Sequence, residues 1–279
     1  MITTGREDIS KWAARIDTVI ANTDRCCVNR VVVVESTPST MDAATAFAGP
    51  GCGVLVVASQ QTNGRGQRGR QWQDADRCTL PCTFVIDTQG IEPVMVSALI
   101  GCAVHETIKA LAPSSSTVMI KWPNDIVIRE QGDEQCDEQC KVGIHDRKIA
   151  GILIEQKGRC TYVGIGINCV QGAGDWGVDI KAKAISLSQI GAQVSRLDLV
   201  SSLVEHLSHW LVAQDRPAIR SYYQAHDAMV HTHRSFQYDN RNFEGVVECI
   251  DPLEYILVQT PTDAHRLPIA QTRHLRADA

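Results

Sequence analysis

The stretch KIAGILIEQKGRCTYVGIGI, residues 148–167, contains two β-rich apolar runs, Lys148 to Gln156 and Cys160 to Ile167, with three residues between them. Runs this short, bounded by polar or glycine-containing turns, read as neighbouring strands. Just upstream, Val118 to Trp122 and Ile126 to Arg129 repeat the pattern at similarly close spacing. Four strands with so little chain between them predict antiparallel pairs, and hence an α+β fold rather than a wound parallel one. Further upstream, strand-like runs at Val31 to Val34, Val54 to Ser59 and Leu80 to Ile86 alternate with helical ones at Ser39 to Ala48 and Pro93 to Leu111. Asp8 to Thr23 places Ile9, Trp12, Ala13, Ile16, Val19 and Ile20 on one helical face. Downstream, Arg196 to Gln214 and Pro217 to Ala225 read as helices, the second opened by its proline. After His226 the pattern becomes short strands, Phe236 to Tyr238, Gly245 to Ile250, Tyr255 to Gln259 and Arg266 to Ala270, as in a small β-barrel. The expected organisation is a helical extension over residues 1–28, a main domain over 29–230 and a small C-terminal domain over 231–279, with the boundary near His231.

At 279 residues, 44% hydrophobic and 21% charged, with net charge −5, the chain is neither disordered by composition nor a basic nucleic-acid coat. The apolar stretch Val94 to Val104 is interrupted by Ser97 and Gly101 and falls short of the ~18 to 20 residues of a membrane span, so no membrane partner is expected. Arg6, Glu7 and Asp8 interrupt the place of a secretion signal, which predicts a cytoplasmic protein. Eleven scattered cysteines in that setting predict reduced thiols, several of them core fillers, with the adjacent Cys26 and Cys27 incidental rather than a redox pair. The helix before Arg30 leaves too little chain for a winged helix-turn-helix, so no DNA partner is expected.

Four segments carry chemistry. Gln60 to Trp72 follows a strand and gathers glycines and arginines, Gly64-Arg65-Gly66-Gln67-Arg68-Gly69-Arg70, a composition that suits an anion but also a solvated basic turn or an RNA-binding loop. It lacks the Lys-Ser/Thr of a phosphate-binding Walker loop and does not fit the dinucleotide fingerprint. Lys121-Trp122-Pro123-Asn124-Asp125 is a turn between strands whose Asn-Asp pair can hold a metal or a polar ring edge. Lys148 stands just ahead of Gly151 in a strand, where backbone can approach a ligand and the ammonium can reach it. Gly164-Ile165-Gly166-Ile167-Asn168 fits a flat ligand against a strand, or equally a bulge or close packing.

Together with Glu35 to Asp42, these blocks resemble, in order, those of the biotin protein ligases. The resemblance implies a mixed β-sheet covered by helices on one side, of the class II aminoacyl-tRNA synthetase and biotin ligase type, with a C-terminal SH3-like barrel. It is to the shorter, monofunctional kind without a DNA-binding arm. It further implies that biotin is activated by ATP, with Mg²⁺, to biotinyl-5′-AMP and pyrophosphate, and then passed to a lysine of a biotin carboxyl carrier domain, that of acetyl-CoA carboxylase. A homodimer through sheet edges is open. By the same resemblance Lys148 and Arg65 are catalytic, and Ser39, Thr40, Gln61, Arg65, Lys148, Gly151, Gly164 and Gly166 hold biotin. Gln67, Arg68, Arg70, Trp72, Asn124, Asp125, Lys148 and Asn168 serve the nucleotide, Trp72 near adenine and Asp125 near the metal. Bringing a carboxylate to a phosphate requires charge neutralisation, which explains the arginines and lysine.

Two features depart from the family pattern. Gln67 stands where many members carry an arginine, which predicts greater leakage of the adenylate. Glu130 to His145 is an insertion with Asp-Glu-Gln-Cys twice in tandem; Cys136, Cys140 and His145 are few ligands for a metal, and the charges suit a solvated hairpin tip. The glycine-rich loop Gly64 to Gly69 is expected to be mobile until substrates bind. The rival functions are a lipoate ligase or octanoyltransferase, sharing the fold, and a non-catalytic biotin sensor or RNA-binding protein.

Overall fold

The computed structural model describes residues 8–48, 51–74, 77–131, 144–193 and 195–275; the tandem cysteine repeat of the insertion lies outside them. Along the chain come α1 (Trp12–Asn22), β1 (Arg30–Thr37), α2 (Thr40–Ala48), β2 (Val54–Gln61), β3 (Gly64–Arg65), β4 (Gln71–Trp72), β5 (Thr79–Asp87) and α3 (Pro93–Leu111). β6 (Thr117–Lys121), β7 (Asp125–Gln131), β8 (Ile144–Lys157), β9 (Cys160–Asn168), α4 (Arg196–Ala213) and α5 (Arg216–Ala225) complete the larger part. The rest is β10 (His233–Tyr238), β11 (Arg241–Asp251), β12 (Tyr255–Gln259), β13 (Ala264–Pro268) and β14 (Arg273–Leu275).

The main sheet is mixed, in the order β1-β2-β5-β9-β8-β7-β6, with β1 and β2 parallel and every other pair antiparallel. The close-spaced strands predicted from residues 118–167 are its β6 to β9. A five-stranded antiparallel sheet, β13-β12-β11-β10-β14, forms the expected small C-terminal unit. Its last strand, at Arg273, is too short and polar to show in the sequence.

β2 and β5 are buried on both faces, which is why VLVVA and LPCTFVI are unbroken rather than alternating. Leu55, Val57, Phe84 and Ile86 face a large core with Trp12 of α1, Leu99 and Ala103 of α3 and Leu203 and Leu207 of α4. Val54, Val56, Val85 and Tyr162 point the other way, to Met41, Ala44 and Ala48 of α2. The helices therefore do not all lie on one side as expected: among the described residues α2, the crossover between the parallel pair, is the helix that covers the opposite face. The large core continues into the small sheet, where Trp122 meets Phe236 with ring centroids 6.3 Å apart.

The α3 helix, 19 residues long, is apolar enough to cross a membrane by length and composition, but 67% of that stretch is buried within the protein. Among the described residues the reduced-thiol expectation fails at Cys52 and Cys160, which form a disulfide with Cα atoms 5.7 Å apart. β5 pairs with both β2 and β9, and this register brings the starts of those two strands together at one end of the sheet. The two cysteines are 108 residues apart in sequence.

Candidate active site

Glycine spacing makes the cavity floor. Gly164 and Gly166 are two apart on β9 and so share a face, and the β8–β9 register sets Gly151 opposite Gly166 and Leu153 opposite Gly164. Three absent side chains leave a trough on the α2 face of the sheet, just beyond the N-terminus of that helix. Met41 closes one end: a Cβ on Gly164 would stand 2.8 Å from its sulfur. Trp72 lies in the trough, its ring 2.5 Å from a Cβ built on Gly166 and 2.8 Å from one on Gly151. With the indole there, the cavity has about 50 Å³ of room.

All eight residues expected to hold biotin, Ser39, Thr40, Gln61, Arg65, Lys148, Gly151, Gly164 and Gly166, line this one cavity, with Gln67, Trp72 and Asn124 from the nucleotide set. Trp72, expected beside adenine, lies over the glycines expected for biotin, where the β3–β4 pairing of Gly64 with Trp72 folds the loop back over the sheet. Arg68 and Arg70 are exposed and outside the cavity, Arg68 in left-handed backbone at φ 58°. Asn168 is buried and directs its amide to the carbonyls of Lys148 and Ile185, at 3.1 and 3.0 Å. It braces the strand that carries the lysine rather than lining the cavity.

At one wall the Gln61 side-chain oxygen accepts from the Thr40 backbone N–H at 2.8 Å, and Thr83 donates to the Thr40 hydroxyl at 2.9 Å. At the other, Lys148 Nζ lies 2.6 Å from Asp125, which is buried, and 5.2 Å from the centre of the Trp72 ring. The ion pair fixes the ammonium at that wall of the cavity. Arg65 sits at the mouth, bridged to Asp42 at 3.0 Å and to Glu155. These two acids and Met41 carried no site assignment from the sequence. Glu155 lies 90 residues from Arg65, and only the strand pairing reveals it, although its two-residue steps from Leu153 and Gly151 place it on the same face. Asp74, whose carboxylate accepts from the backbone of Gln61 at 2.9 Å and Thr79 at 3.2 Å, ties the loop's exit to its base; burial pushes its carboxyl up.

Three lining residues hold buried polar atoms without a hydrogen-bond partner: Ser39 Oγ, Trp72 Nε1 and Asn124 Oδ1. Each such atom costs about 1–3 kcal/mol unless a ligand completes it. Asn124 also borders an adjoining cavity of about 260 Å³ between α3, Trp122 and Ile269. Among the described residues no group of three or more His, Cys, Asp or Glu side chains gathers to bind a metal.

Residues 33–171 match the model of the biotin/lipoate A/B protein ligase family. The chain is 30% identical over 160 residues to a bifunctional ligase/repressor BirA of Bacillus spizizenii, covering 54% of this chain and 44% of that protein. It thus spans less than half the length of that relative. It is 24% identical over 234 residues to a biotin–acetyl-CoA-carboxylase ligase of Paracoccus denitrificans, covering 77% of this chain and 88% of the other. The fold is similar to that of a biotin protein ligase from Aquifex aeolicus solved with biotin and ATP, with a TM-score of 0.70 at 19% identity over 88% of this chain and 99% of that one.

Proposed function

We propose, from the premise that this chain belongs through residues 33–171 to the biotin/lipoate A/B protein ligase family, that it is a biotin protein ligase. It joins the biotin carboxylate to the α-phosphate of ATP, releases pyrophosphate, and transfers the biotinyl group from biotinyl-5′-AMP to a lysine of a carrier domain. By analogy with the Paracoccus relative's name, that carrier belongs to acetyl-CoA carboxylase.

The observation that carries this reading is the trio of unsatisfied polar atoms in a glycine-floored cavity that ends at Lys148. A fatty acyl chain would leave Ser39 and Trp72 unsatisfied, while Asn124 faces the phosphate side. A ureido ring offers one carbonyl acceptor and two N–H donors, and a site that hydrogen-bonds its ligand rejects analogues that cannot. Lys148 then neutralises the charge that builds as the carboxylate oxygen meets phosphorus, and Arg65 exchanges a carboxylate partner for the ligand's. Asn124 and Asp125 serve the phosphate side, and Mg²⁺ would be held mainly by phosphate oxygens, with Asp125 the nearest carboxylate. Arg68 and Arg70 reach the nucleotide only when the loop closes further. The remaining room of about 50 Å³ requires the Trp72 ring to shift as the acid enters.

Calorimetric titration with biotin, lipoate and octanoate tests the selectivity. Binding of biotin alone, weakened in Ser39→Ala, is expected. Preference for lipoate or octanoate would overturn the assignment within the family.

A further inference from the structure

We propose that Cys26 and Cys27 form a thiol–disulfide exchange site, distinct from the ligase cavity, that takes a low-molecular-weight disulfide in the cleft between the α1–β1 connection and α4. The cleft has about 570 Å³ of room and is lined by Arg25, both cysteines, Asp87, Gln89 and Gln214, none of which lines the cavity around Lys148. Both cysteines are partly exposed and lie in irregular backbone after α1, following Arg25 at φ 49°. Such a segment is free of the helical or ladder hydrogen bonds that would hold adjacent side chains apart.

Ser208 of α4 organises the pair. Its hydroxyl oxygen accepts from the Cys27 backbone N–H at 3.0 Å and lies 3.5 Å from Cys26 Sγ. The adjacent thiols shift one another: the neighbouring Cys27 lowers Cys26 to about 6, and Cys26, with burial, pushes Cys27 up. The two sulfurs therefore differ in role: at neutral pH Cys26 is the thiolate that attacks and Cys27 the thiol held in reserve. The other shifted thiols, Cys82, Cys102 and Cys249, all move the opposite way through burial.

The exchange balances without a further reactant. Cys26 thiolate attacks one sulfur of RS–SR, forming Cys26–S–SR and releasing RS⁻, which takes the proton of Cys27. The Cys27 thiolate then attacks Cys26 sulfur and expels the second RS⁻, which is protonated by solvent. Two protein thiols become one disulfide as RS–SR becomes two RSH.

The test uses the full chain with oxidised glutathione at pH 7, read by peptide mass spectrometry. Wild type is expected to yield a peptide two mass units lighter, linking Cys26 to Cys27. Cys27→Ser is expected to trap a glutathione adduct on Cys26, and Cys26→Ser to slow modification of Cys27 at least about ten-fold. In unmodified wild type, iodoacetamide alkylation of Cys26 should reach half its maximal rate near pH 6, ahead of Cys249. Alkylation of Cys26 no faster than Cys78 or Cys249, or a midpoint near pH 8 to 9, would overturn the proposal.

Discussion

Lys148 is held by Asp125 on one side and by the Trp72 ring on the other, so its ammonium is positioned before any substrate arrives. Preorganised charge of this kind commonly contributes 10²–10³ in rate. Lys148→Ala is expected to lower kcat for adenylate formation by about that factor in a protein that still folds, with some loss of thermal midpoint because buried Asp125 loses its cation, measured by pyrophosphate release beside differential scanning fluorimetry. Gln67 lines the cavity with an uncharged amide, so Gln67→Arg is expected to slow escape of the adenylate, measured by chromatography of released biotinyl-5′-AMP. Unchanged release would show that the glutamine is not the weak point. At this scale the sequence was largely legible. Gly164 and Gly166 announce a shared face by their spacing, and Lys148 by its place before Gly151. The partners of Arg65 were not, since Asp42 and Glu155 reach it only through folds of the chain 23 and 90 residues apart.

The Gly/Arg segment is the element that folds over the candidate site. Its sequence reads as loop, and its composition hides the short β3–β4 pairing that turns Trp72 inward; two-residue strands have no period to detect. Arg65 pins the hairpin to α2 and β8 through Asp42 and Glu155. We expect limited proteolysis within Gly64 to Gly69 in the ligand-free protein, suppressed by biotin and ATP together, and enhanced without them in Glu155→Gln. Cleavage that persists at saturating substrates would contradict closure. Longer elements were readable because burial imposes pattern: Pro93–Leu111 starts at its proline and ends with its apolar run, and β2 and β5 show by continuous apolarity that both faces are covered. Which helix covers which face depends on the crossover, and composition carries no trace of it.

For the whole molecule, the Cys52–Cys160 disulfide closes a separation of 108 residues, which by loop entropy stabilises by up to about 4–5 kcal/mol. Dithiothreitol is expected to lower the thermal midpoint by several degrees, and Cys52→Ala to remove that sensitivity. Acid acts through two buried groups of opposite sign. His105 shares its ring nitrogens between the Tyr222 hydroxyl at 2.8 Å and the Val118 carbonyl at 3.0 Å, and burial lowers it to about 4. The unfolded state therefore binds more protons between pH 6.5 and 4, and this contribution to stability is lost as pH falls. Asp227, near Arg129 and Arg234, is raised by burial to about 6, so it favours the folded state as pH falls from 6 to 4. His105→Gln should gain relative stability over that interval and Asp227→Asn should lose it, measured as thermal midpoints against wild type. Equal slopes in both variants would contradict the assignment.

In the proposed function the cavity ending at Lys148 adenylates biotin. Pyrophosphate release by the purified chain with ATP and Mg²⁺, in the presence of biotin, lipoate or octanoate, tests it most directly. Release that depends on biotin and is lost in Lys148→Ala is the predicted result; no release with biotin, or equal release from Lys148→Ala, would contradict it.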